Sequence, residues 1–278
     1  MNSFSPDAHL PPSGSVAVFG LPTDANASFL RGAARAPGLI RSALHCPSSN
    51  LCAENGIELS VDSRFAELGD LQIGEGSGTT DRITAAVTRL LEHRLRPIAL
   101  GGDHSITYPI IRSFATVHKA MTVLQFDAHP DLYDTFDGKR FSNASPFARI
   151  MEEKLAHRLI QVGIRAMNTP QRQQARRFGV ETMEMNNQGV PAELQLNAPV
   201  YVSIDIDVLD PAFAPGVSHP EPGGLSIRQV IDLIHRIRVP IVGADIVEYN
   251  PDRDLGDITA RAAAKLLKEI AGRMLQTG

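Results

Sequence analysis

Short apolar runs alternate along this chain with stretches in which apolar residues recur every three or four positions. Val16–Phe19, Phe65–Leu68, Arg96–Leu100, Met121–Phe126, Leu159–Gly163, Val180–Met185, Val200–Ile204 and Val239–Glu248 read as eight strands. Most are apolar at successive positions, as strands covered on both faces are. Between them, Ile83, Ala86, Val87, Leu90 and Leu91 mark one buried helical face, behind a cap at Thr80 or its neighbour. A helix from about Ser105 to Val117 follows the third strand. Ser145-Pro146 and Thr169-Pro170 each place a capping residue before a proline suited to the first helical position, and Gly179 is a stop. Ser226 to Gln229 fits a capping box, and an alanine-rich helix from about Asp257 to Met274 closes the chain. Strands separated by helices predict a doubly wound or barrel-type α/β fold with its site at the carboxyl edge of the strands. Residues 1–14 are expected to form a flexible arm and residues 15–278 one domain.

Composition narrows the function classes. The chain has 278 residues, 43% of them hydrophobic, ample for a large core. A formal charge of −4 and a pI near 6.1 leave no basic footprint for nucleic acid, and the apolar runs fall well short of a membrane span. The first residues show neither a secretory nor a transit pattern, so a cytoplasmic location is expected. Cys46 and Cys52 are expected as free thiols. The closely spaced glycines of Gly74–Gly78 follow loop residues rather than joining a strand to its helix, so they predict a turn and not a dinucleotide site.

The chemistry gathers at strand ends. Met121–Phe126 runs straight into Asp127-Ala128-His129-Pro130-Asp131, whose i, i+2, i+4 spacing would let three side chains face one centre in extended backbone. Arg96–Leu100 is followed by Gly101-Gly102-Asp103-His104, and Val200–Ile204 by Asp205-Ile206-Asp207. Asp127, Asp131, Asp205 and Asp207 with neutral His104 and His129 make six candidate metal ligands carrying −4 in a largely desolvated place. Two divalent ions match that charge where one does not. Oxygen donors with one imidazole per ion favour Mn²⁺ over zinc, with Ni²⁺ and Co²⁺ as alternatives. Such a pair, about 3.5–4 Å apart, would share a water and produce hydroxide near neutral pH, which predicts a hydrolase without a covalent nucleophile.

These residues resemble a known family. Gly101-Gly102-Asp103-His104-Ser105, Asp127–Asp131 and Ser203-Ile204-Asp205-Ile206-Asp207-Val208-Leu209-Asp210-Pro211 together are similar to the motifs of the ureohydrolases, the arginases and agmatinases, over about residues 16–272. The resemblance implies a three-layer α/β/α fold with a central, mainly parallel sheet of eight strands. It implies two Mn²⁺ ions, release of urea from a small guanidino substrate, and homotrimers or homohexamers. It assigns His104, Asp127, Asp131 and Asp205 to one ion, and Asp127, His129, Asp205 and Asp207 to the other. Glu248 resembles the carboxylate that takes the guanidinium, a planar cation suited to bidentate contact. His219, in Gly216–Ser226, resembles a substrate-binding position of the plant-type group.

Two departures from animal-type arginases matter. Tyr133 stands where those enzymes place an Asn that holds the substrate carboxylate, which is similar instead to agmatinases and plant-type arginases. Asn143 stands where the family normally has a His acting as proton shuttle or substrate contact. Asn forms hydrogen bonds but does not titrate near neutrality, so slowed rather than abolished hydrolysis is expected. Arginine and agmatine lead the substrates, with guanidinobutyrate, guanidinopropionate and guanidine as alternatives. The competing expectations are a metal-binding but catalytically poor subunit of a mixed oligomer, and a zinc deacetylase-like hydrolase with a single metal.

Overall fold

A computed structural model describes residues 3–4, 10–74, 78–186 and 193–276. Its strands are β1 (Ser3–Phe4), β2 (Val16–Leu21), β3 (Phe65–Leu71), β4 (Arg96–Gly101), β5 (Thr122–Phe126), β6 (Arg158–Ile164), β7 (Glu181–Glu184), β8 (Val200–Asp205) and β9 (Ile241–Val247). All belong to one sheet in the order β1-β3-β2-β4-β9-β8-β5-β6-β7, and every pairing is parallel. Eight of them are the predicted strands. The ninth, β1, corrects part of the expected flexible arm: Ser3–Phe4 pair with Asp70–Leu71, and Phe4 is buried with its ring 5.9 Å from that of Phe19. Residues 1–2 and 5–9 of that arm, and residues 75–77 of the Gly74–Gly78 turn, lie outside the described residues.

The helices are α1 (Ala36–Leu44), α2 (Thr79–Glu92), α3 (Thr107–Val117), α4 (Pro146–Glu152), α5 (Thr169–Phe178), α6 (Ile227–Arg236) and α7 (Ile258–Gln276). Strand alternation sends neighbouring residues to opposite layers. Val16, Val18, Val200, Val202 and Ile204 pack with Ile40, Ile234 and Leu267 of α1, α6 and α7. Ala17, Phe19 and Tyr201 pack with Leu90, Phe114 and Phe147 of α2, α3 and α4 on the other face. The result is the three-layer α/β/α arrangement.

Capping details depart from expectation at three helix starts. Asn168, not Thr169, caps α5 by accepting the Gln171 N–H, with Thr169 already inside the helix. Gly78, in left-handed backbone, precedes α2, which puts Thr79 and Thr80 in its first turn. Ser145 stands at the expected position before α4 without a side-chain cap bond. The Ser226/Gln229 capping box is present, and Gly179 ends α5 in left-handed backbone.

Candidate metal centre

Sheet order explains why residues distant in sequence meet. The four adjacent central strands β4, β9, β8 and β5 end at His104, Glu248, Asp205/Asp207 and Asp127–Asp131. His104 opens a 3₁₀ turn (His104–Ile106) capped by Asp103, and Asp207 lies in another (Ile206–Val208) capped by Asp205. The glycine pair before His104 has a steric cause: a Cβ on Gly102 would lie 1.7 Å from the Thr23 carbonyl oxygen. Gly102 also accepts the Glu248 N–H at 2.8 Å, which joins the β4 and β9 exits.

The six candidate ligands fall into two overlapping groups. His104, Asp127, Asp131 and Asp205 converge in one, and Asp127, His129 and Asp207 in the other, each with ligand atoms close enough to hold one ion. Asp127 is shared. Asp205, expected to serve both ions, falls with the His104 group. Residues 127–131 do not continue the extended strand, since β5 ends at Phe126 and the following residues are loop, so strand alternation does not bring their side chains together. Convergence comes instead from left-handed backbone at Asp131 (φ 49°), which turns its carboxylate toward His104.

The donor chemistry fits a cation. Ser203 Oγ donates to Asp245 Oδ1 (2.6 Å), so the hydrogen bond at 3.0 Å between Ser203 Oγ and His104 Nε2 uses the ring N–H as donor. In the neutral ring that leaves Nδ1 as the lone-pair nitrogen. It is fully buried without a well-formed hydrogen bond and lies 3.1–3.2 Å from carboxylate oxygens of Asp127, Asp131 and Asp205. A lone pair facing three carboxylates repels them unless a positive charge sits between. Burial and then the Asp127 charge push Asp131 up to about 7. Burial and then the charges of Asp207 and Asp127 push Asp205 well above the usual carboxylate range. Protons and metal ions compete for such a set.

Glu248 is buried beside this cluster in left-handed backbone (φ 64°). Its Oε1 accepts the His104 backbone N–H (2.8 Å) and the Asn143 side-chain N–H (3.1 Å). Among the described residues Oε2 receives no hydrogen bond. Burial, followed by the charge of Asp103, pushes the carboxyl up to about 8. Asn143 is held in turn by its own N–H to the Asn26 carbonyl (3.2 Å) and by Ser142 Oγ (3.2 Å). A cavity of about 150 Å³ above the ligands is lined by Asn143, Glu248, Tyr133, Phe136, Ser28 and His219, among others. His219 sits at the rim, 3.4 Å from Ser28 Oγ, with its ring 6.0 Å from that of His129. Among the described residues, those lining the cavity include no Lys or Arg. Asp103 and Asp210 stand outside the ligand groups, accepting backbone N–H groups that shape their loops.

Sequence reasoning did not single out what lies beneath the ligands. Thr182, Gln161, Gln125, Ser203 and Asp245 stand side by side across β7, β6, β5, β8 and β9, one polar row through an apolar sheet. Asp245 is fully buried and accepts Thr107 Oγ1 (2.9 Å), Tyr201 OH (2.8 Å) and Ser203 Oγ. The signal was present as polar residues inside otherwise apolar strands, which are rarely buried without a partner.

A parallel α/β sheet with a shared His/Asp cluster at the carboxyl ends of its central strands defines a metal-binding hydrolase site. Residues 14–272 match the Arginase family, and the chain belongs to it as a ureohydrolase. It is 45% identical to "Arginase 1, mitochondrial" of Arabidopsis thaliana over 277 residues, 94% of this chain and 81% of that protein. It is 36% identical to the N(1)-aminopropylagmatine ureohydrolase of Thermus thermophilus over 245 residues, 85% of this chain and 83% of that one. The solved arginase of Medicago truncatula superposes with a TM-score of 0.87 at 41% identity, covering 94% of this chain and 87% of that one.

Proposed function

We propose that the protein hydrolyses arginine or agmatine at the guanidino carbon, releasing urea, with two Mn²⁺ ions as its cofactor. The observation that carries this is the two-group cluster sharing Asp127, with Glu248 in the same cavity. His104, Asp127, Asp131 and Asp205 would hold one ion, and Asp127, His129 and Asp207 the other. When bound, the pair supplies Lewis acidity and makes water nucleophilic near neutral pH. The −4 of the carboxylates against two divalent charges, and the preponderance of oxygen donors, support manganese.

The chain's own residues orient the substrate. Glu248 offers Oε2 to the guanidinium while Oε1 stays tied to His104 and Asn143, so the carboxylate is already aimed before substrate arrives. Asn143 helps hold Glu248 but supplies no titrating group, so proton transfer to the leaving amine falls to water or to Asp131 and turnover is slow. Tyr133, Phe136 and His219 wall the path taken by the substrate tail. With no Lys or Arg lining that path among the described residues, an α-carboxylate would be met by Ser28, Tyr133 and His219. Homotrimers or homohexamers complete the reading.

A titration of metal-free protein with Mn²⁺, followed by a urea assay on the loaded sample with arginine and agmatine separately, tests it. Two ions per chain and urea from either substrate are expected. Asn143 also favours a second reading, a metal-binding subunit with little activity of its own. Two ions bound with no urea from any guanidino compound would select that one.

A further inference from the structure

The polar row beneath the metal centre has two arms. One runs Asp245–Ser203–His104. The other runs Thr182–Gln161–Gln125–Asp127 and reaches the shared ligand from the opposite side. Gln125 and Gln161 are directly opposed on β5 and β6, and both are fully buried. Gln125 Nε2 donates to Asp127 Oδ2 (2.7 Å) and to the His129 carbonyl (3.1 Å). Gln161 Nε2 donates to Gln125 Oε1 (2.7 Å) and to the Pro130 carbonyl (2.6 Å). Thr182 Oγ1 donates to Gln161 Oε1 (3.4 Å).

The direction of this chain is forced. Carbonyl and ionised carboxylate oxygens only accept, so each amide must present its nitrogen to residues 127–130, and the one remaining Gln161 hydrogen faces Gln125 Oε1. All four amide hydrogens are used. On the other carboxylate oxygen, Asp127 Oδ1 accepts the His129 N–H at 2.6 Å. The plane of Asp127 is therefore held at both ends, Oδ2 toward the His104 group and Oδ1 toward the His129 group. A carboxylate shared between two ion sites needs this restraint, because rotation about its last bond would carry an oxygen out of each.

We propose that Gln161 is a positioning residue of the metal centre, acting through Gln125 to fix the plane of Asp127. The proposal rests on the two-ion reading above. Its test is calorimetric Mn²⁺ titration of metal-free parent, Gln125→Leu, Gln161→Leu and the double variant, with thermal denaturation of each metal-free form. Loss of such outer partners typically costs about 10–100-fold in metal affinity, so each single variant should weaken binding by about tenfold or more. If Gln161 acts through Gln125, adding Gln161→Leu to Gln125→Leu should change affinity by less than about twofold. An equal factor in both backgrounds would overturn the relay. So would a lower denaturation temperature with unchanged manganese affinity, which marks a purely structural role. Gln161→Met, close to Gln in size and without amide hydrogens, serves if the leucine variants do not fold. A loss of about tenfold in manganese affinity supports the relay, and unchanged affinity contradicts it. Parent protein that fails to take up two ions would defeat the function reading and the relay together, whereas two ions bound alike by parent and all variants defeats the relay alone.

Discussion

Asn143 donates its side-chain N–H to Glu248 Oε1 across 3.1 Å, tying it to the carboxylate proposed to receive the guanidinium. Asn143 therefore aims Glu248 but cannot transfer a proton.

Asn143→His places a titrating group beside Glu248. General acid–base help is worth about 10²–10⁴-fold, so kcat for urea release should rise by about 10²-fold with no change in manganese content. Steady-state kinetics with metal analysis of both proteins checks this. An unchanged kcat on every cleaved substrate would show that the position handles no proton.

Glu248→Gln removes the carboxylate proposed to pair with the guanidinium and leaves the six candidate metal ligands in place. Losing one partner of a buried charge pair costs about 2–5 kcal/mol, so kcat/KM should fall roughly thirtyfold or more. Manganese stoichiometry should stay the same, which separates a substrate contact from a metal ligand.

Asp245→Asn tests how His104 comes to be a ligand. In the parent, Asp245 accepts the Ser203 hydroxyl hydrogen bond, which leaves Ser203 Oγ an acceptor for His104 Nε2–H. An amide turned toward Ser203 would push the hydroxyl proton to His104 and move the ring proton to Nδ1, the side facing the carboxylates. A drop of about 10–100-fold in manganese affinity is expected, with the tautomer change read by nitrogen NMR of the ring.

Acid stability offers a check away from the site. Hydrogen bonds from Arg228 and then Lys265 push Glu54 down to about 2. A carboxyl with a depressed folded pKa adds stability above its unfolded value, about 4.3, and that contribution is lost as pH falls toward the folded value. Glu54→Gln should therefore unfold at lower urea than the parent at pH 7, and the gap should close between about pH 4.3 and pH 2. With the side chain about one-third exposed (34%), the gap should be modest.

The parts that were legible in sequence share one cause. A buried parallel strand is a run of apolar residues, and its end is abrupt, so Asp127, His104 and Asp205 stood out against Val123-Leu124, Ala99-Leu100 and Val202-Ile204. The left-handed turn at Asp131 was hidden, because nothing local requires it and the contacts that hold the loop come from Gln161 of β6, Gln171 of α5 and Asp207 in the turn after β8. Gln125, Gln161, Ser203 and Asp245 were hidden for the opposite reason. Each is a single polar residue in an apolar run, and its partner lies on a neighbouring strand whose register the sequence does not state. Ser3–Phe4 are too short to show a period, and Phe4 is explained by its pairing with Leu71 and its contact with Phe19.

In the proposed reaction, water attacks a guanidino carbon in this cavity. Manganese-loaded protein in ¹⁸O-labelled water, offered arginine, agmatine, guanidinobutyrate, guanidinopropionate and guanidine in turn and read by mass spectrometry, provides the test. ¹⁸O-labelled urea is expected and, for arginine or agmatine, an equimolar unlabelled amine. Two bound ions with no urea from any of the five, or urea without the label, would contradict it.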